Sequence, residues 1–175
     1  MEEMREAAMA YYANMSEDQQ KELLEFYKSL DTNEDGKVSI HEYLDFLVRK
    51  GVTQHVSPDL FKLLDKDDGG TLDFEESVTF FYMFTCNRLV ICAGCRSYLW
   101  GLHFLCVECY NADKKKTYEL CCSCYRNKNF THEHSSFMDN YALLRTEQAM
   151  DKLKKVAKGG AEIAWSFFKA YNESN

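Results

Sequence analysis

The sequence lacks the features that mark membrane spans, leaders and flexible linkers. Of its 175 residues, one is proline and eight are glycine. No apolar run approaches the roughly 18 residues that a membrane-spanning helix needs. The opening segment MEEMREAAMAYY is acidic and amphipathic, which is not typical of a secretory signal. We therefore expect a cytoplasmic or nuclear protein that is not secreted.

The composition is that of a globular protein with two unlike halves. Hydrophobic residues make up 46% of the chain and charged residues 28%, which excludes a disordered polymer. Residues 1–85 carry 19 acidic and 8 basic side chains, whereas residues 86–175 carry 9 and 13. Eight cysteines in a chain that is not expected to be secreted indicate metal binding rather than disulfides.

Residues 31–42, DTNEDGKVSIHE, have the spacing of a calcium-binding loop. Side chains with oxygen atoms stand at loop positions one, three and five, a glycine at six, and a glutamate at twelve. This spacing wraps a hard cation that needs six to eight oxygen ligands. The predicted ligands of calcium site 1 are Asp31, Asn33, Asp35, Lys37 (through its carbonyl) and Glu42.

Residues 65–76, DKDDGGTLDFEE, repeat the pattern with one departure. Position five is Gly69, which has no side-chain oxygen, so we expect this loop to bind calcium more weakly. The predicted ligands of calcium site 2 are Asp65, Asp67, Thr71 (through its carbonyl), Asp73 and Glu76.

Helix signals flank both loops. Ser16 and Gln19 form a capping-box pattern, and Ser57-Pro58 is typical of a helix start. Val38 and Leu72, both at loop position eight, are predicted to pair in a short ribbon. Residues 17–85 therefore resemble a pair of EF-hands. The resemblance implies calcium binding and, in sensor members, the opening of an apolar groove.

The second half holds three Cys-x-x-Cys pairs and a closing His-x-His. Two cysteines three residues apart can both reach one tetrahedral ion from a tight turn. Cys122 breaks this spacing and is predicted to be a bystander, and Cys86 is predicted to be a small buried apolar residue. The eight predicted zinc ligands are Cys92, Cys95, Cys106, Cys109, Cys121, Cys124, His132 and His134.

Spacing alone leaves two ways to divide these eight ligands between two zinc ions. Sequential pairing joins the first two cysteine pairs on one ion and the third pair with the histidines on the other. Interleaved pairing places Cys92, Cys95, Cys121 and Cys124 on one ion and Cys106, Cys109, His132 and His134 on the other.

The three pairs, the motif Tyr118-x-Leu120-Cys121 and the closing histidines resemble a ZZ-type zinc finger over residues 87–138. This resemblance implies the interleaved, cross-braced arrangement and a protein partner, such as a peptide or a degron-like tail. ZZ fingers that read free N-termini commonly carry an acid after the first cysteine, where this chain has Ala93. The eleven residues 110–120 are about twice the usual length, and Lys114–Lys116 among them are predicted to lie in a solvated loop.

The sequence therefore predicts an α+β protein in four parts. They are an N-terminal helical extension (1–16), an EF-hand pair (17–85), a ZZ-type finger (86–140) and a C-terminal amphipathic helix (141–175). The junction has neither proline nor a polar linker, so calcium is expected to adjust the finger through the helix that follows the second loop. For the C-terminal helix, with Trp165 and Phe168 near its end, three roles are expected: binding to a membrane surface, docking on the EF-hand groove, or packing on its own domain.

The function expected is a non-catalytic, calcium-responsive adaptor that binds two Ca²⁺ and two Zn²⁺. The alternatives are an accessory of RING-like ubiquitin ligases and a calcium-independent zinc scaffold. Nucleic-acid binding is not expected, because the chain is acidic overall and its ligand order does not predict a groove-reading finger helix.

Overall fold

The computed structural model describes residues 1–52, 55, 57–114 and 116–156, with the backbone alone for 151–156. The chain is α+β, as the sequence predicts. It divides into two compact units, Met1–Leu89 and Val90–Asn175. In the described residues, no helix has the length and apolar character that crossing a bilayer requires.

The acidic unit is helical, with one short ribbon. Its elements in chain order are α1 (Glu2–Ala13), α2 (Glu17–Leu30), β1 (Val38–Ser39), α3 (Ile40–Arg49), α4 (Pro58–Leu64), β2 (Thr71–Leu72) and α5 (Phe74–Thr85). β1 and β2 pair antiparallel with Val38 opposite Leu72, which confirms the predicted contact. The ribbon therefore joins the ends of the two acidic loops.

Side-chain caps start the helices where the sequence predicts them. Ser16 and Gln19 form the capping box of α2, and Ser57 caps α4 with Pro58 in its first turn. Ser39 and Asp73 open α3 and α5 with capping boxes of their own. Each cap satisfies backbone amides that a helix start leaves without a partner.

An aromatic core holds the acidic unit together. Tyr43, Phe46 and Phe80 are buried, and Phe46 and Phe80 both contact Phe26 with ring centroids 5.1 and 5.6 Å apart. Burying large apolar side chains is the dominant favourable term in folding, at about 1.5–3 kcal/mol for each. This core contains no predicted metal ligand.

The cysteine-rich unit is built on a small sheet. Its elements are β3 (His103–Cys106), α6 (Val107–Ala112), β4 (Glu119–Cys121), α7 (Cys122–Arg126), β5 (Phe137–Asp139) and α8 (Asn140–Val156). β3 lies between β4 and β5, and both pairings are antiparallel. Cys106 and Cys121 thus end two neighbouring strands, and a short helix follows each of them.

One prediction made from the sequence, the burial of Cys86, is wrong. Cys86 is exposed rather than buried, because it caps the C-terminus of α5 beyond the last residue of that helix. Of the predicted solvated loop, Lys114 and Lys116 are exposed, as expected. Lys114 also donates to the carboxylate of Glu147 in α8 at 2.5 Å, and Tyr110 donates to the same carboxylate at 2.7 Å. The predicted membrane or groove docking of Trp165 and Phe168 lies outside the described residues.

Candidate metal centres

The two acidic loops share one backbone conformation. Position six is a glycine in the left-handed region in each, with φ of +82° at Gly36 and +75° at Gly70. Position four is also left-handed, at Glu34 and Asp68. Glycine adopts this region without the steric cost that a side chain brings, which explains the residue at position six. The twelve-residue repeat in the sequence is therefore a repeat in conformation.

The first loop is closed by its own carboxylates. Asp31 accepts hydrogen bonds from the amides of Asp35 and Gly36, at 3.1 and 2.9 Å. Glu42 accepts from the amides of Thr32 and Ser39, at 2.9 and 2.8 Å. The predicted ligands thus draw the two ends of the loop together.

The second loop repeats this network position for position. Asp65 accepts from the amides of Gly69 and Gly70, at 2.9 and 2.8 Å. Glu76 accepts from the amides of Lys66 and Asp73, at 2.6 and 2.9 Å. Gly69 therefore keeps the amide contact of position five and lacks only the side-chain oxygen.

Three acidic side chains of the second loop converge. Oxygen atoms of Asp65, Asp67 and Glu76 lie within 4.8 Å of one another, a group that could hold a cation. Asp73, in contrast, caps α5, and Thr71 pairs with Ser39 in the ribbon. The structure thus brings together three of the five predicted ligands through their side chains.

The acids of the first loop are arranged differently. Asp31, Asp35 and Glu42 do not form such a group, and Asn33 at position three is not an acid. Asn33 instead donates to Asp35 at 2.9 Å, and the Lys37 amide also donates to Asp35 at 2.9 Å.

The Glu42 carboxylate is strongly stabilised in its charged form. Burial alone raises its pKa, but hydrogen bonds from Ser39 and Thr32 outweigh burial and lower the pKa to about 2. A carboxylate that is ionised at neutral pH and aimed into the loop is suited to a hard cation.

In the cysteine-rich unit, the structure brings the eight predicted ligands together as the interleaved sets. One set consists of Cys92, Cys95, Cys121 and Cys124, and the other of Cys106, Cys109, His132 and His134. Within each set, one ligand atom from each residue lies within 4.8 Å of all the others. The sequential division, which spacing left open, is not the one the fold brings together.

The distances fit a tetrahedral zinc ion. Zinc bonds of about 2.3 Å to sulfur and 2.0–2.1 Å to nitrogen place two sulfurs about 3.8 Å apart and sulfur about 3.5 Å from nitrogen. Cys95 Sγ lies 3.9 Å from Cys121 Sγ. Cys109 Sγ lies 3.3 Å from His132 Nε2 and 3.4 Å from His134 Nδ1. Both clusters could therefore hold a zinc ion.

Backbone amides support the sulfurs. The amide of Cys124 donates to Cys121 Sγ at 3.3 Å, and the amide of Cys109 donates to Cys106 Sγ at 3.5 Å. The amide of Cys121 reaches across to Cys92 Sγ at 3.2 Å, which links the two pairs of one set. Donors of this kind stabilise thiolates, the form in which cysteine binds metal.

The thiols differ in how readily they ionise. Hydrogen bonding with Ser97 lowers the pKa of Cys95 to about 6. Burial raises the pKa of Cys106 to about 11 and that of Cys124 to about 12. At neutral pH, zinc must therefore displace protons from Cys106 and Cys124 in order to bind.

Gly94, between the first two cysteines, permits a close approach. A Cβ atom at this position would lie 2.5 Å from the Asn129 carbonyl oxygen and 2.8 Å from Cys124 Sγ. Only a residue without a side chain fits there.

Sequence reasoning missed a buried polar pair beside these sets. His103 Nε2 lies 3.4 Å from a Glu119 carboxylate oxygen, and both side chains are about nine-tenths buried. Leu105 stands opposite Glu119 in the sheet, with His103 opposite Cys121. The pairing of β3 with β4 creates this contact, and no local motif announces it.

No family model matches this chain, and neither the curated proteins nor the solved structures contain a match to it. Its likeness to the EF-hand and ZZ families therefore rests on its own residues and geometry.

Proposed function

We propose that this chain is a non-catalytic, calcium-responsive interaction protein, built from an EF-hand pair and a ZZ-type zinc finger. The observation that carries the proposal is the gathering of eight ligands into two interleaved sets at zinc-like spacing. The repeated hydrogen-bond network of the acidic loops supports the calcium part.

Zinc would act as a structural element. Each set supplies four protein ligands. These would occupy all four coordination positions of a tetrahedral zinc ion and leave none for water or substrate. A zinc ion that is closed in this way stabilises a fold and does not catalyse hydrolysis. The proposed role of the finger is therefore recognition.

Calcium would act at the acidic loops. Asp31, Asn33, Asp35 and Glu42 would hold one ion with the carbonyl of Lys37. Asp65, Asp67 and Glu76 would hold the other with the carbonyl of Thr71, and Asp73 would contribute through water. Calcium supplies positive charge that relieves repulsion among these carboxylates, and its binding favours whichever arrangement of the flanking helices holds the ligands best.

The proposed partner is a protein segment held by the finger. Ala93 stands where N-terminus-reading fingers carry an acid, so a ligand recognised only by its free amino group is not favoured.

Calorimetric titration of calcium into the zinc-loaded chain tests the calcium part of this proposal. We expect two binding events, of which Glu42→Gln removes one and Glu76→Gln the other. If the titration shows no heat of calcium binding at either loop, the calcium-independent zinc scaffold becomes the better account of the protein.

Amide exchange of the finger with and without calcium tests the responsive part. We expect calcium to change exchange within residues 90–139, and unchanged exchange there would contradict the coupling. Self-ubiquitination in the presence of activating and conjugating enzymes would instead favour the ligase alternative.

A further inference from the structure

We propose that α1 is a strap that positions the second acidic loop for calcium, with Arg5 as its positioning residue. This inference rests on the proposed calcium function. It assigns a role to a helix outside both loops.

The first anchor of the strap lies at the entrance of the loop. Arg5 Nη2 donates to the Leu63 and Leu64 carbonyls, at 2.7 and 3.4 Å. These carbonyls belong to the last turn of α4, where helices leave acceptors without intrahelical partners. Asp65, the first ligand, follows directly. Arg5 therefore holds the backbone that carries it.

The second anchor lies on the exit helix. Ala8 is fully buried against Leu23 and Val78, and the Tyr11 ring stacks on Tyr82 at 5.3 Å. Val78 and Tyr82 belong to α5, which also carries Glu76, the last ligand. α1 thus links the residues before the loop to the helix after it.

The first loop has the same contact from a different donor. Arg49 Nη2 donates to the Ser29 carbonyl at 3.0 Å. Ser29 stands two residues before Asp31, as Leu63 stands two residues before Asp65. Arg49 belongs to α3, the exit helix of its own loop. The corresponding position of α5, seven residues after the closing glutamate, is the buried Met83.

The comparison explains why the second loop needs α1. Its exit helix has no arginine at that position, and Arg5 supplies the missing guanidinium from outside the loop. The loop that Arg5 contacts is also the one in which Asp65, Asp67 and Glu76 converge, although position five lacks an oxygen. The ordering of these ligands by α1 lowers the cost of gathering them when calcium binds.

Two backgrounds isolate the loops for a test in the full-length, zinc-loaded chain. Glu42→Gln leaves calcium binding at the second loop, and Glu76→Gln leaves it at the first. In these backgrounds, Arg5→Gln is expected to weaken the second loop about tenfold, the equivalent of one hydrogen-bonded charged group. It should leave the first loop unchanged.

Arg49→Gln is the matched control, with the reverse expectation: a weaker first loop and an unchanged second one. Arg5→Lys should recover part of the loss, because an ammonium can still donate to one carbonyl. An Arg5→Gln protein with unchanged calcium affinity at the second loop would overturn the proposal. So would an equal loss at both loops.

A measurement without calcium separates this inference from the proposed function. The amides of Gly69 and Gly70 donate to Asp65, so Arg5→Gln should speed their exchange in the calcium-free protein and spare Gly36. If Arg5→Gln speeds the exchange of these amides but the protein binds no calcium, the positioning of the loop by α1 is supported and the proposed calcium function is rejected. Unchanged exchange would overturn the strap.

Tyr11→Ala provides a second variant in case Arg5→Gln fails to fold. Tyr11 is 60% exposed, so its truncation should leave the unit folded while loosening the contact with Tyr82. We expect about threefold weaker calcium binding at the second loop, since the stacked pair adds a modest contribution beyond the area that it buries. A folded Tyr11→Ala protein with unchanged affinity would contradict the second anchor.

Discussion

The two units of this protein differ in how their predicted metal ligands relate to their cores. In the acidic unit, the core is aromatic and aliphatic, and its buried hydrophobic residues include no predicted calcium ligand, although Asp31 and Glu76 are themselves buried. In the cysteine-rich unit, the buried cluster consists of Cys92, Leu99, Leu120 and Cys124, so half of its members are predicted zinc ligands.

This difference indicates two roles for a bound metal ion. A unit with its own apolar core can fold without metal, so reversible metal binding can regulate it. A small unit whose core consists partly of cysteine ligands is expected to depend on the ion for its fold, as zinc fingers do. Calcium is expected to regulate one unit, and zinc to complete the other.

The largest expected effect comes from removing zinc. A strong chelator should unfold residues 90–139 and leave the acidic unit folded, because structural zinc contributes about 10–16 kcal/mol in finger peptides. Amide exchange followed by mass spectrometry would resolve the two units. Loss of protection in residues 1–85 as well would show that the contrast between the units is wrong.

The neighbouring residues Cys121 and Cys122 should differ in their effect on zinc binding. Cys121→Ser should cost one zinc ion and destabilise the finger, since Cys121 Sγ lies 3.9 Å from Cys95 Sγ. Cys122→Ser is the control, because Cys122 Sγ donates to the Leu102 carbonyl at 3.5 Å and belongs to neither ligand set. Zinc content and thermal unfolding should be measured for both variants. Equal losses of zinc and stability in the two variants would contradict the assigned ligand sets.

Gly94→Ala should weaken the finger by overpacking. The new Cβ would meet the Asn129 carbonyl oxygen at 2.5 Å, and overpacking typically costs about 1–3 kcal/mol. Gly101→Ala is the matched control, because nothing lies within 4 Å of its Cβ position. Denaturant unfolding followed by amide exchange within residues 90–139 would compare them, and a stability of Gly94→Ala equal to that of Gly101→Ala would refute the close approach.

The smallest effect concerns acid stability of the calcium-free acidic unit. The pKa of Glu42 is lowered to about 2 in the folded protein, against 4.5 ordinarily, so its contribution is complete above pH 4.5 and is lost as the pH falls towards 2. The Glu42→Gln protein should lose less stability than the unmodified protein as the pH falls from 4.5 towards 2. The Glu22→Gln protein, changed on the exposed face of α2, should lose as much as the unmodified protein. Thermal unfolding at several pH values measures this, and parallel profiles for all three proteins would disprove it.

Local signals in the sequence predicted much of this fold. The capping residues Ser16 and Ser57 and the Val38–Leu72 contact follow from short-range rules of helix starts and loop repeats, and the structure confirms them. The three Cys-x-x-Cys spacings predicted six of the ligands, because two cysteines three residues apart can both reach one ion from a tight turn, and the closing His-x-His predicted the other two.

Contacts between distant segments were beyond the reach of these rules. Spacing could not choose between sequential and interleaved zinc sets, since that choice depends on how β3, β4 and the closing histidines pack. Arg5 contacts Leu63 across 58 residues, and Lys114 contacts Glu147 across 33. Neither contact has a periodicity or motif that would reveal it.

The most direct test of the account is native mass spectrometry of the purified chain before and after addition of calcium. The account predicts two zinc ions retained throughout and two calcium ions gained. One calcium gained would identify Gly69 as a true defect of the second loop. No bound zinc, or no calcium gained at either loop, would contradict the division into a zinc-dependent finger and a calcium-responsive lobe.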